Sequence, residues 1–175
     1  MLILTSRIVT QVALGHLRPV ALKKHLPKAV VFDVPFRCWP VDIDMFMHMN
    51  NASYVRVAEL ARWRIFPQSG IIDLAKKKGI IFLVVGQQVS YLKQLPPFAK
   101  FIVRTTVTTS DNKWVHYSHS FQKPDSGNKE PYVYATVDVK AVMKEKTGKT
   151  IRLTDLASES DFYKHLADDV EEVKK

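Results

Sequence analysis

At 175 residues and 20.0 kDa the chain suits one domain and can bury one sizeable core. A hydrophobic share of 46% and a charged share of 25% exclude a disordered or fibrous class. The single cysteine, Cys38, excludes an intramolecular disulfide and a cysteine-based metal cluster, and no cofactor or metal is expected.

The net charge of +9 is unevenly spread. Residues 1–32 carry Arg7, Arg18, Lys23, Lys24 and Lys28 and no acid, so five of the nine excess charges lie there. A basic leader on a nearly balanced domain does not favour nucleic-acid binding. Residues 1–29, free of acids and with leucine and valine between the charges, resemble a mitochondrial transit segment, with the cytoplasm as the other residence. A basic amphipathic helix lying on a membrane or on the domain itself fits them equally. The uncharged stretch Ile8–Leu17 is far short of the roughly 20 residues a bilayer needs, so no transmembrane segment is expected there.

Val30–Trp39 alternates with the period of a strand buried on one face, and Pro40 ends it. Residues 51–65 change to helical spacing, with Asn51 as N-cap and Tyr54, Ala58, Ala61 and Ile65 as an apolar stripe. A short helix over Ile71–Lys78 stops at Gly79. Four strand-like runs follow: Ile80–Tyr91, Phe98–Thr109, Trp114–Gln122 and Tyr132–Met143. They are separated by turn residues at Leu95–Pro97, Ser110–Asn112 and Pro124–Asn128, which implies an antiparallel meander. Thr154–Val173 reads as an acidic helix. The fold class is α+β, an antiparallel sheet wrapped around a central helix, divided as leader 1–29, domain 30–150 and C-terminal helix 151–175.

The chemistry-bearing stretch is Asp42–Asn51, DIDMFMHMNN, between the first strand and the central helix. Two carboxylates, a histidine and two asparagines alternate with Met45, Phe46, Met47 and Met49. Apolar side chains exclude water and accept an acyl chain, and a helix N-terminus offers N–H groups to a developing oxyanion. A carboxylate there can attack a carbonyl carbon or deprotonate water. The other reading is a polar turn in which the aspartates and asparagines only cap backbone groups.

The pattern DxDxxxHxNNxxY over Asp42–Tyr54, followed by Glu59-Leu60-Ala61-Arg62, resembles the 4-hydroxybenzoyl-CoA thioesterase branch of the hotdog superfamily, especially its thioesterase superfamily member 6-type proteins. The run Val89–Val107 continues the likeness, which covers Phe32–Met143. It implies a hotdog fold and hydrolysis of acyl-CoA or an acyl-carrier-protein thioester. It also implies Asp44 as the catalytic carboxylate and the N–H of Asn51 as oxyanion donor, beside which His48 would act as a positioning or proton-handling group. Asn50, Met45, Phe46, Met47 and Tyr54 would contact substrate. Plant acyl-carrier thioesterases have an asparagine two residues after the aspartate, where this chain has Phe46.

Glu59 is a further catalytic candidate, since some hotdog thioesterases place the carboxylate on this helix. It could equally pair with Arg56 or Arg62. His116 and His119, three apart on a strand, face opposite ways and make no metal site. A second class of function is a non-catalytic hotdog domain in a mitochondrial, RNA-containing assembly. The resemblance further implies a homodimer or a dimer of dimers, joined edge to edge.

Overall fold

The computed structural model describes residues 2–18, 22–26, 29–124, 130–159, 162–164 and 166–167. Its elements in chain order are α1 (Leu2–Leu17), β1 (Leu22–Leu26), β2 (Ala29–Arg37), α2 (Asn51–Ser69), α3 (Ile71–Lys78), β3 (Ile80–Tyr91), β4 (Lys100–Ser110), β5 (Trp114–Gln122) and β6 (Val133–Glu145), with 3-10 turns at Pro40–Asp42 and Leu153–Leu156. The strands form one sheet in the order β1-β2-β4-β5-β6-β3, and every neighbouring pair is antiparallel. This is the hotdog arrangement, with α2 in the hand of the sheet.

Period-two alternation positions the core. Phe101, Val103 and Val107 of β4, Val115, Tyr117 and Phe121 of β5, and Ala135, Val137 and Val139 of β6 all point inward and are buried. Against them α2 buries Tyr54, Val57, Ala58, Leu60, Ala61, Ile65 and Phe66, most of its circumference, because the sheet curls around it. Full burial of a side chain such as Leu60 or Ile65 contributes roughly 1.5–3 kcal/mol. Pro35 sits in β2 beyond the reach of β1, where its missing N–H costs no ladder bond. Gly70 (φ 75°) and Gly79 (φ 64°) close the two helices in the left-handed region.

Both flanks carry features that the pattern did not reveal. The basic leader contributes an added strand, β1, paired with β2 from Leu22↔Phe32 to Leu26↔Ala29. Its helix α1 lies on α2 so closely that a Cβ on Gly15 would stand 2.6 Å from the Arg64 carbonyl oxygen. Arg64 in turn donates to the Arg18 carbonyl at 2.8 Å. Charge density hid the strand, because Lys23 and Lys24 interrupt the apolar period. At the other end, the helix expected from Thr154 begins instead as a 3-10 turn and turn residues to 159, with helical residues at 162–164 and 166–167, and residues 160, 161, 165 and 168–173 of that expectation lie outside the described residues. Leu153, Leu156, Tyr163 and Leu166 are buried in the common core. Asn112, at φ 52°, clamps the turn by accepting from the Thr154 N–H and donating to its hydroxyl, both at 2.9 Å. Of the expected Pro124–Asn128 turn, residues 125–128 also lie outside the described residues.

A buried polar trio ties α2 to the sheet. Arg62 Nη1 lies 3.2 Å from His119 Nε2, and His119 Nδ1 lies 2.9 Å from Thr105 Oγ1, its cross-strand neighbour. With Arg62 donating, the imidazole is neutral and Nδ1–H donates to the threonine. Burial first, and the Arg62 charge second, hold the His119 imidazole well below the ordinary imidazole range. The unfolded chain takes up this proton below its ordinary value of 6.5 while the folded chain does not, so this stability is present above pH 6.5 and is lost as pH falls below it. His116, lowered mainly by burial and then by Lys140, acts in the same direction. Between pH 7 and pH 5.5 the wild type should lose about 1 kcal/mol more unfolding free energy than His119→Gln. Parallel losses in urea titrations of the two proteins would contradict this assignment.

Candidate active site

The chain leaves β2, makes the 3-10 turn at Pro40–Asp42, and enters a small hairpin closed by an antiparallel bridge between Ile43 and Met49. Asp44 N–H donates to the His48 carbonyl at 3.1 Å, and Met47 N–H to the Asp44 carbonyl at 3.2 Å. Met47 takes φ 59°, which turns the tip. The base of the hairpin is stitched to the domain by Met49 N–H on the Leu95 carbonyl and Asn50 N–H on the Asp42 carbonyl.

The two aspartates have separate surroundings. Asp42 is fully buried and accepts the Trp39 N–H at 3.1 Å. Arg7 of α1 reaches it at 2.8 Å and Arg56 of α2 at 3.4 Å, so its charge is spent on joining α1, α2 and the loop. Asp44 lies nearer the surface. Its Oδ1 accepts the Phe46 N–H at 2.9 Å, a tight Asx turn, and its Oδ2 faces His48 Nδ1 at 3.5 Å. The Phe46 ring stacks on the His48 ring with centroids 6.1 Å apart.

Asn50 is the N-cap of α2, its Oδ1 accepting the Ala52 N–H at 2.9 Å. Asn51, expected at that position, is the first helical residue. Among the described residues its N–H has no hydrogen-bond partner. It points out at the positive end of a 19-residue helix, where a developing oxyanion is favoured. A groove of about 250 Å³ opens beside it, lined chiefly by His48, Asn51, Tyr54, Tyr91, Leu92 and Lys93. The Tyr91 hydroxyl donates to the Asn51 carbonyl at 3.3 Å and holds the helix start against the end of β3. Tyr54, pushed up to about 12 mainly by burial, stays a neutral phenol at the groove floor. Burial likewise pushes the Cys38 thiol up to about 11, so it supplies no thiolate nucleophile at neutral pH.

Asp44, His48, Asn50, Asn51 and Tyr54 thus come together. Glu59 stands eight residues further along α2, about 12 Å up the axis, half-buried and accepting the Trp63 indole N–H at 3.4 Å. It pairs with neither Arg56, which goes to Asp42, nor Arg62, which goes to His119. Met45, Phe46 and Met47 project from the hairpin tip, 87%, 74% and 67% exposed. Tyr91 and Lys93 are groove residues that pattern reading passed over, since nothing local marks a strand end as facing a helix start. No group of three metal-binding side chains occurs among the described residues.

The sequence matches the family model of the thioesterase-like superfamily over residues 38–166. Protein THEM6 of Xenopus laevis is 28% identical over 110 residues, which cover 61% of this chain and 50% of the frog protein. Protein THEM6 of Drosophila melanogaster is 26% identical over 85 residues, covering 48% and 44%. The chain spans about half the length of these curated relatives. The fold is similar to that of YbaW, a probable thioesterase from Escherichia coli, with a TM-score of 0.65 at 20% identity over 75% of this chain and 96% of that one. A 4-hydroxybenzoyl CoA thioesterase mutant complexed with 4-hydroxybenzoyl CoA gives 0.63 at 15% identity, over 78% and 98%. A Staphylococcus aureus protein in complex with CoA gives 0.63 at 16%, over 77% and 85%.

Proposed function

The chain belongs to the thioesterase-like superfamily, and from that premise we propose that it hydrolyses an acyl-CoA or acyl-carrier-protein thioester to free acid and thiol. The observation that carries the reading is a carboxylate facing a histidine at 3.5 Å beside the unpaired N–H of the first residue of α2. The thioester carbonyl oxygen accepts the Asn51 N–H, and the helix dipole favours the charge that grows on it. Asp44 takes a proton from water while the hydroxide oxygen bonds to the carbonyl carbon. Collapse of the tetrahedral intermediate breaks the C–S bond, and the proton passes through the Asp44–His48 pair to the leaving sulfur. Direct attack by Asp44, with hydrolysis of the resulting anhydride, uses the same groups. Asn50 supports the site by capping the helix, and Met45, Phe46 and Met47 line the way for the acyl chain. The CoA compounds bound by two of the structural neighbours support the substrate class. Thiol release from a panel of acyl-CoAs, read with a chromogenic thiol reagent, tests it. Saturable turnover sustains the reading, and a folded protein inert to the whole panel leaves the non-catalytic binding role.

The working unit is proposed to be a homodimer or a dimer of dimers. β3 is an edge strand whose far side has no pairing partner among the described residues. It exposes Ile81, Leu83, Val84 and Val85, an aggregation hazard for a lone subunit. Two such edges pair about a two-fold axis. Light scattering should give about twice 20.0 kDa or a multiple of it. A monomer mass that does not change with concentration would overturn the dimer.

A mitochondrial setting and a place in fatty-acid metabolism are further proposals, motivated by the basic residues of the leader. A fluorescent protein fused behind residues 1–29 should enter mitochondria, and a diffuse cytosolic signal would overturn that address.

A further inference from the structure

Three exposed apolar side chains stand together on a loop layer outside the Asp44 groove. Trp39 is 50% exposed, Val41 48% and Phe98 56%. They come from two segments sewn together where β2 ends and β4 begins. Cys38 N–H donates to the Ala99 carbonyl at 3.0 Å, and Phe98 N–H to the Cys38 carbonyl at 2.9 Å. Asp42 accepts the Trp39 N–H and fixes the 3-10 turn that presents Trp39 and Val41 to solvent.

Phe98 is held under strain. Its φ of 61° lies in the left-handed region, unfavourable for a residue with a bulky side chain and natural for glycine or asparagine. The exposed ring gains little burial within the subunit to offset that strain. A surface outside the chain that takes up the ring accounts for both the conformation and the residue type.

The neighbouring charges point to the kind of surface. The Arg37 guanidinium carbon lies 5.6 Å from the centroid of the Trp39 ring. Lys100 is the register partner of Arg37, and Lys123 is exposed one residue past β5 at the same end of the sheet. Among the described residues none of these three cations has an ion pair. The acids described at this end are Asp42, buried between Arg7 and Arg56, Asp44, facing His48, and Glu130. Exposed tryptophan and phenylalanine flanked by basic residues suit the boundary between anionic headgroups and acyl chains. A second copy of the chain fits this patch less well, because the free sheet edge that suits a dimer is β3, on the far side of the sheet from β2.

We propose that Trp39, Val41 and Phe98 dock the chain on an anionic lipid surface, with Arg37, Lys100 and Lys123 against the headgroups. Docking brings the Asp44 hairpin to the lipid, because Met49 N–H on the Leu95 carbonyl ties that hairpin to the same loop layer. Binding of lipid needs no turnover and stands apart from the thioesterase reading.

The full chain should sediment with vesicles of phosphatidylcholine mixed with phosphatidylglycerol, and at least tenfold more weakly with phosphatidylcholine alone. The double variant Trp39→Ser, Phe98→Asn should bind the anionic vesicles at least tenfold more weakly than wild type. Phe98→Asn alone should melt at or above the wild-type temperature, because asparagine accepts the left-handed φ, so lost binding is separated from lost folding. The triple variant Arg37→Gln, Lys100→Gln, Lys123→Gln should lose the preference for anionic vesicles. Brominated acyl chains should quench the tryptophan fluorescence of the wild type more than that of Trp39→Phe. No binding of the wild type to either vesicle overturns the proposal, and so does wild-type binding by the double variant. Equal binding of the wild type to both vesicles overturns the anionic surface. A light-scattering mass that falls when Trp39 and Phe98 are replaced overturns the lipid and assigns the patch to a second copy.

Discussion

Asp44→Asn should lower kcat at least about a hundredfold, the ordinary size of a lost general base, with the melting temperature close to wild type. The substitution keeps the shape of the side chain and its Oδ1 contact with the Phe46 N–H, so the hairpin keeps its turn. It removes the oxygen that faces His48 Nδ1 and with it the proton acceptor or nucleophile. KM should change little, because the proposed contacts of the acyl chain and the thiol arm lie elsewhere. Thiol-release kinetics beside thermal melts separate the two effects, and wild-type kcat in a folded Asp44→Asn protein would remove Asp44 from the chemistry.

Asp42→Asn should do the reverse. Asp42 is fully buried and joins Arg7 of α1 and Arg56 of α2 to the N–H of Trp39. Neutralising it leaves two guanidinium groups facing an amide. Removing one partner of a buried pair costs about 3–5 kcal/mol, and because Arg7 and Arg56 still reach water about 2–3 kcal/mol is expected. For a chain of this length that lowers the melting temperature by roughly 5–10 °C. The kcat should stay within about tenfold of wild type, because Asp44 and the Asn51 N–H are untouched. A melting temperature within about 2 °C of wild type would show that the tie between α1 and the loop carries no stability.

These two neighbouring carboxylates show what was legible and what was not. Strand and helix limits came through wherever one residue type sets a local rule. Gly79 stops α3, alternation places His116 and His119 on opposite faces, and the turn residues divide β3 from β4 and β4 from β5. That Asp44, His48, Asn50, Asn51 and Tyr54 lie near one another was legible because they fall within one thirteen-residue stretch that forms one hairpin and helix start, whereas Glu59 stands further along α2. Contacts between distant positions left no such trace. Arg7 and Asp42 are 35 residues apart, and neither sequence neighbourhood points to the other. Arg62 and His119 are 57 apart, so Arg62 was read only as one of two partners for Glu59, whereas the structure buries it against His119. β1 was hidden because an added edge strand needs backbone pairing rather than an apolar face. Asn50 and Asn51 are adjacent and equally good caps by type, and the bridge at Met49 decides between them.

The measurement closest to the central claim is a structure of the Asp44→Asn variant with an acyl-CoA bound, since slowed turnover preserves the thioester. The carbonyl oxygen should lie about 3 Å from the Asn51 nitrogen, with residue 44 facing the carbonyl carbon and the acyl chain beside Met45, Phe46 and Met47. A thioester bound away from the start of α2, with the Asn51 N–H pointing at solvent, would contradict the account.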